Sequence, residues 1–126
     1  MRIFITDDRL LEMDYGPYEG MDLRNPAPEI TAFFSDFAHT PAPAGMEQLA
    51  DVTERLGSFL AEILPEAETK NILVSTHAIA LKGALEYLMP ESQGSWWPRF
   101  IGNCAVFAVK AENGAYGKPE ELTFTE

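Results

Sequence analysis

The chain has 126 residues, with 20 Asp plus Glu against 9 Lys plus Arg and a formal net charge of −11. No Lys/Arg cluster offers the basic face that nucleic acid needs for counterion release, the single cysteine rules out an intramolecular disulfide and a cysteine-built zinc cluster, and no apolar run reaches the roughly 18 residues of a membrane-spanning helix. Hydrophobic residues make up 46% of the chain and include 8 Phe, which is enough for a core, so a single domain over residues 1–126 is expected. The opening eight residues, with one Arg and then two acids, do not read as a signal peptide, and a cytoplasmic location is the expectation.

Residues 2–6, R-I-F-I-T, form a short β-prone run that Asp7 and Asp8 close. Residues 10–20 carry Gly-Pro and Glu-Gly steps and read as a loop. Residues 28–37 predict a helix with Ile30, Phe33, Phe34 and Phe37 on one side, and Pro26 and Pro28 suit its start. After a Pro/Ala loop over 39–45, residues 46–64 give the clearest helical pattern. Met46, Leu49, Val52, Leu56, Phe59 or Leu60, and Ile63 recur at spacings of three to four; Gly57 interrupts the pattern and Pro65 is expected to stop it.

Residues 72–75 predict a buried strand of a parallel sheet, and residues 79–89 a helix closed by Pro90. Residues 92–97 form an aromatic loop, and residues 104–110 a strand with Cys104 buried in it. Asn113-Gly114 is a hairpin turn signal, with residues 122–125 pairing back as an edge strand. This alternation of strands and helices predicts a layered α/β domain.

The junction at residues 74–79, V-S-T-H-A-I, is the first candidate for chemistry. Ligands of open α/β sheets bind at the carboxyl ends of strands, and His77 stands between such a strand and a helix N-terminus, whose N–H groups suit phosphate. A capping histidine is the alternative. Glu12, Asp14 and Glu19, with Tyr15 and Tyr18, form an acidic loop that offers a general acid or base, or simply a solvated surface. Asp7, Asp8, Glu12 and Asp14 match no metal-loop spacing, so neither a metal nor another cofactor is expected. His39, Arg9, Arg24, Lys82 and Arg99 read as surface groups, the cations also as candidate anion contacts. Trp96-Trp97-Pro98 reads as pocket wall or core.

Four segments together resemble the histidine phosphatase (phosphoglycerate mutase-like) superfamily. Residues 8–20, D-R-L-L-E-M-D-Y-G-P-Y-E-G, resemble its R-L-x-E-x-x-x-G-x-x-E-G loop. Residues 43–47, P-A-G-M-E, with Val52 and Arg55 beyond, resemble its P-x-G-E-S segment and following helix. Residues 72–78, I-L-V-S-T-H-A, resemble its V-x-V-S-H-G turn, and residues 102–106, G-N-C-A-V, its late P-N-x-x-V strand.

The resemblance implies a three-layer α/β/α fold on an incomplete, mostly parallel sheet with a C-terminal hairpin. It implies phosphomonoester hydrolysis through a phosphohistidine, with Glu12 as proton donor and His77 as the second, phosphate-contacting histidine. Arg9, Tyr15 and Ala78 would border a small phosphorylated substrate or phosphate. The family's nucleophile lies in an R-H-G motif, and this sequence contains none. His77-Ala78 stands where His-Gly is usual, and Gly45-Met46-Glu47 where Gly-Glu-Ser is usual. An N-terminally truncated domain with little turnover of its own is therefore expected. Two alternatives accompany it: an anion-binding or interaction module that forms a homodimer through an unpaired sheet edge, and an enzyme in which His77 is itself nucleophile or base.

Overall fold

Three helices and four short strands emerge from this sequence in a computed structural model, which describes residues 4–123. Helices α1 (Pro28–Ser35), α2 (Leu49–Ala67) and α3 (Ala78–Leu88) precede strands β1 (Val106–Ala108), β2 (Ala111–Glu112), β3 (Ala115–Tyr116) and β4 (Glu120–Leu122). Single 3-10 turns lie at Asp8–Leu10, Gly16–Tyr18 and Pro90–Ser92.

The apolar spacing of α2 does what it predicts: Val52, Leu56, Phe59 and Leu60 are all buried. The helix begins later than expected, at Leu49. The Gln48 side-chain amide bonds both the N–H and the C=O of Ala42, at 3.0 Å each, and holds the preceding turn outside the helix. Met46 is buried from that turn. Pro65 does not stop α2, which runs on to Ala67. A proline removes only the bond to the carbonyl four residues back, and Ala61 there is exposed, so water can serve it.

Gly57 is a packing requirement rather than an interruption. A Cβ there would collide with the Tyr87 ring of α3, and one at Gly83 would lie 2.8 Å from Val52 Cγ1 of α2. These two glycines let α2 and α3 pack closely. Met13 from the first loop, Ile30 and Phe33 from α1, Val52 and Leu56 from α2, and Ala80 and Ala84 from α3 share one core.

The C-terminal region is a long, interrupted hairpin. Asn113 (φ 56°) and Gly114 (φ 75°) make the expected turn between β2 and β3. Farther out, β1 pairs antiparallel with β4, Val106 facing Leu122 and Ala108 facing Glu120. Two residues separate β1 from β2 and three separate β3 from β4, so the register slips by one, as in a β-bulge. The Tyr116 hydroxyl donates to the Leu60 carbonyl and docks the hairpin on α2.

The structure belongs to the mixed α/β class, and its described strands pair antiparallel. Residues 72–75 are not a buried strand. They form no ladder among the described residues, and Leu73 is 90% exposed. Of the β-prone run 2–6, residues 2 and 3 lie outside the described residues, and Phe4 and Ile5 are exposed and form no strand pairing among the described residues. Cys104 is not buried. It is exposed with φ 64°, two residues before β1, where the chain turns too sharply to continue the strand. The edge strand expected at 122–125 ends at Leu122, and residues 124–126 lie outside the described residues. No described helix is long and apolar enough to cross a membrane.

Candidate active site

Glu12 and His77 lie 65 positions apart in sequence and meet at the N-terminus of α3. Glu12 Oε2 accepts the Ile79 N–H at 3.0 Å, and Oε1 accepts the Ala80 N–H at 2.8 Å and the Met13 N–H at 3.0 Å. The helix N-terminus is thus an anion seat, and the anion that fills it is the Glu12 carboxylate. Two of the N–H groups expected to be free for phosphate, those of Ile79 and Ala80, are thus already taken. A carboxylate offers about four lone-pair sites. The three N–H bonds leave a position on Oε2 for a proton to occupy or depart from.

His77 is the residue that caps α3. Its backbone is extended (φ −121°, ψ 170°), its side chain makes no capping hydrogen bond, and it is exposed. The imidazole is therefore not a side-chain cap of α3. Ala78, the first helical residue, is also exposed, and among the described residues its N–H takes no acceptor. His77 and the Ala78 N–H are the donors at this terminus that Glu12 leaves open.

Two further groups border the site. Tyr15 is half-buried, with its ring centroid 6.4 Å from that of Phe34. Burial first, and then the charges of Glu12 and Glu19, push its phenol up to about 12, so it remains a neutral donor near neutral pH. Lys82 lies one turn into α3 and donates to the Trp97 carbonyl at 2.9 Å. Burial holds its ammonium below the usual lysine value, against the opposing pull of the Glu12 charge.

Arg9 belongs elsewhere. Its guanidinium reaches Asp7 at 2.7 Å, Glu62 at 2.6 Å and Ser58 Oγ at 3.2 Å, and it lies over the Phe59 ring of α2. Arg24 is paired with Asp22, His39 with Asp36, and Arg99 stacks on Trp96 at 4.3 Å. Trp97 is buried in the core, while Trp96 lines a groove at the far end of α3. Among the described residues no cluster of three or more His, Cys, Asp or Glu is placed to hold a metal.

Three residues that hold the site together had no role assigned from the sequence. Thr76 Oγ donates to the Leu10 carbonyl at 2.7 Å and ties the turn before α3 to the loop that carries Glu12. Arg55 forms a two-pronged pair with Glu47, at 2.7 and 3.0 Å, and also donates to the Arg9 and Leu11 carbonyls at 2.8 and 2.7 Å. Burial raises the Glu47 carboxyl, but the bonds from Arg55 and the Asp14 N–H outweigh it and hold that carboxyl below its usual value. Glu47 and Arg55 stood inside the recognisable motifs and pair with each other eight positions apart, but the loop groups they hold lie more than 30 residues away in sequence, where spacing gives no signal.

The profile of the histidine phosphatase superfamily (branch 1) matches residues 3–118. The chain is also similar to phosphoserine phosphatase 1 of Hydrogenobacter thermophilus. The two are 23% identical over 111 residues, which is 86% of this chain and 53% of the relative. The chain spans about half the length of that relative.

Proposed function

Because the chain belongs to the histidine phosphatase superfamily, we propose that its loop over residues 8–20 and the start of α3 form part of a site that hydrolyses phosphate monoesters. The observation that carries this reading is the Glu12 carboxylate seated on the α3 N-terminus beside an uncommitted His77. In the proposed step, the phosphoryl group passes from the alcohol oxygen to the family's histidine nucleophile, which these 126 residues do not supply. Glu12, protonated on Oε2 at the start of the step, gives that proton to the departing alcohol oxygen and is left as the carboxylate. His77 and the Ala78 N–H donate to the oxygens of the transferring phosphoryl group, where negative charge is spread in the transition state. Tyr15 borders the substrate as a neutral donor. Arg9, with its guanidinium committed to Asp7 and Glu62, acts through the loop rather than on the substrate.

The substrate class is a small phosphorylated molecule, a reading supported by the name of the similar phosphoserine phosphatase. The family's nucleophilic histidine sits in an Arg-His-Gly motif, which these 126 residues do not contain. The chain by itself therefore has no covalent nucleophile and turns over little or nothing, since loss of such a group costs several powers of ten in rate. The test is hydrolysis of p-nitrophenyl phosphate by the purified chain beside a His77→Ala variant. Equal, background-level rates are expected. Turnover that vanishes in the variant would overturn the inactivity and make His77 itself the nucleophile.

A second reading rests on Ile72 and Leu73, exposed and outside any ladder among the described residues, and on the exposed Phe4 and Ile5. Unpaired apolar backbone of this kind invites strand addition, and a second copy of the chain is the proposed partner. The mostly parallel, three-layer arrangement would then form only in an assembly that supplies neighbouring strands. Sedimentation as a monomer would count against this.

A further inference from the structure

Glu12 sits in an irregular segment between two single 3-10 turns, so no helix or strand of its own fixes the carboxylate. Besides the buried Met13 and the Thr76 bond to the Leu10 carbonyl, two polar grips on the segment lie on and just before α2. Arg55 Nη1 grips the Leu11 carbonyl, on the N-terminal side of Glu12, at 2.7 Å. Glu47 grips the other side: its Oε1 accepts the Asp14 N–H at 3.0 Å, and its own N–H donates to the Asp14 carbonyl at 2.9 Å. The fork between Glu47 and Arg55 joins the two grips into one clamp, with side chains 16% and 21% exposed. The same face of α2 carries Ser58 and Glu62, three and seven positions beyond Arg55, and these hold Arg9. Behind this polar stripe, Val52 and Leu56 anchor the helix in the core.

We infer that Glu47 and Arg55 are positioning residues, which fix the segment 11–14 so that the Glu12 carboxylate lands on the Ile79 and Ala80 N–H groups. The inference rests on the proposed role of Glu12 and adds the means by which that role is set. The neighbouring Met13 is anchored in the core, and the charge-assisted fork, being directional as well as strong, adds the orientation that apolar packing alone does not define. Side chains that hold a reacting group within about half an ångström of its working position need such support from a rigid element.

The test is nuclear magnetic resonance of the 15N-labelled chain over an acid titration. In the parent protein the Ile79 and Ala80 amides are expected to respond together when acid protonates the carboxylate they bond, and Glu12→Gln is expected to abolish that shared response. In Arg55→Met the two amide protons are expected to move upfield and lose that shared response, while the amides of the α2–α3 core keep their positions. If Arg55→Met fails to fold, Glu47→Ala serves, with the same loss expected. Retention of the parent shifts and titration in a folded variant would overturn the inference. A titration that survives Glu12→Gln would instead overturn the seating of Glu12, and with it the reading of the site.

Discussion

Phe33→Ala is expected to destabilise the fold by about 3–5 kcal/mol, the largest effect of any single substitution considered. Phe33 is fully buried on α1 and shares the core with Met13 and Ile30. Its ring meets Phe34 at 5.3 Å and Phe37 edge-on at 5.0 Å. Aromatic contacts of this kind add about 0.5–1.5 kcal/mol beyond simple burial. Collapse into the vacated space would require α1 to shift, and α1 leans through Phe34 on Tyr15 beside the site. A domain of this size has only about 5–15 kcal/mol in total, so the variant loses a large share of its stability. Urea unfolding measures it: the midpoint falls while the slope stays near that of the parent. A loss below about 1 kcal/mol would mean that Phe33 is not the keystone its burial implies.

Glu86→Leu is expected to cost about 1–3 kcal/mol, because three half-buried donors are left without their charged acceptor. Glu86 is the buried acid of the core face of α3. One oxygen accepts Ser92 Oγ at 2.6 Å and the Gly94 N–H at 2.9 Å, and the other accepts the Trp96 N–H at 2.9 Å. The loop it organises turns through positive φ at Gln93 and Gly94, a conformation that Gln adopts only with support. Trp97, at the end of that loop, is buried and receives Lys82 at its carbonyl. The stability loss is expected with faster hydrogen exchange at the Gly94 and Trp96 amides than elsewhere in the fold. Unchanged exchange at those two positions would assign the loop's order to Trp97 packing instead.

Local pattern carried the helices. The spacing of apolar residues in α2, the prolines at the start of α1 and the Asn113-Gly114 turn each act over a few residues, and each was readable. Long-range partners were not. Leu73 reads as a core strand because an apolar run bounded by polar residues is what a buried parallel strand looks like. Whether it is buried depends on neighbouring strands, and none pairs with it among the described residues. Pro65 and Cys104 failed for a different reason: a proline in a helix's last turn is tolerated where its orphaned carbonyl meets water, and a cysteine next to a sharp turn is not part of the strand that follows.

The site was legible in part. The residues alone gave two unconnected candidates, an acidic loop and a histidine before a helix, and the family resemblance brought them to one place. The seating of Glu12 on Ile79 and Ala80 was hidden, because an acid that will cap a distant helix looks like any other acid in the sequence. Arg9 stands in the site loop in sequence, while in space its guanidinium pairs with Asp7 beside it and with Ser58 and Glu62 on α2.

His77 and the Ala78 N–H, beside the seated Glu12, are proposed as the phosphoryl-binding part of this fold. Titration of inorganic phosphate into the 15N-labelled chain tests this proposal most directly. The predicted result is a set of resonance changes confined to residues 76–80 and the loop around Glu12 and Tyr15, lost in His77→Ala. Changes that persist in His77→Ala, or that gather at Arg99 and Lys118 by the far end of α3, would contradict it.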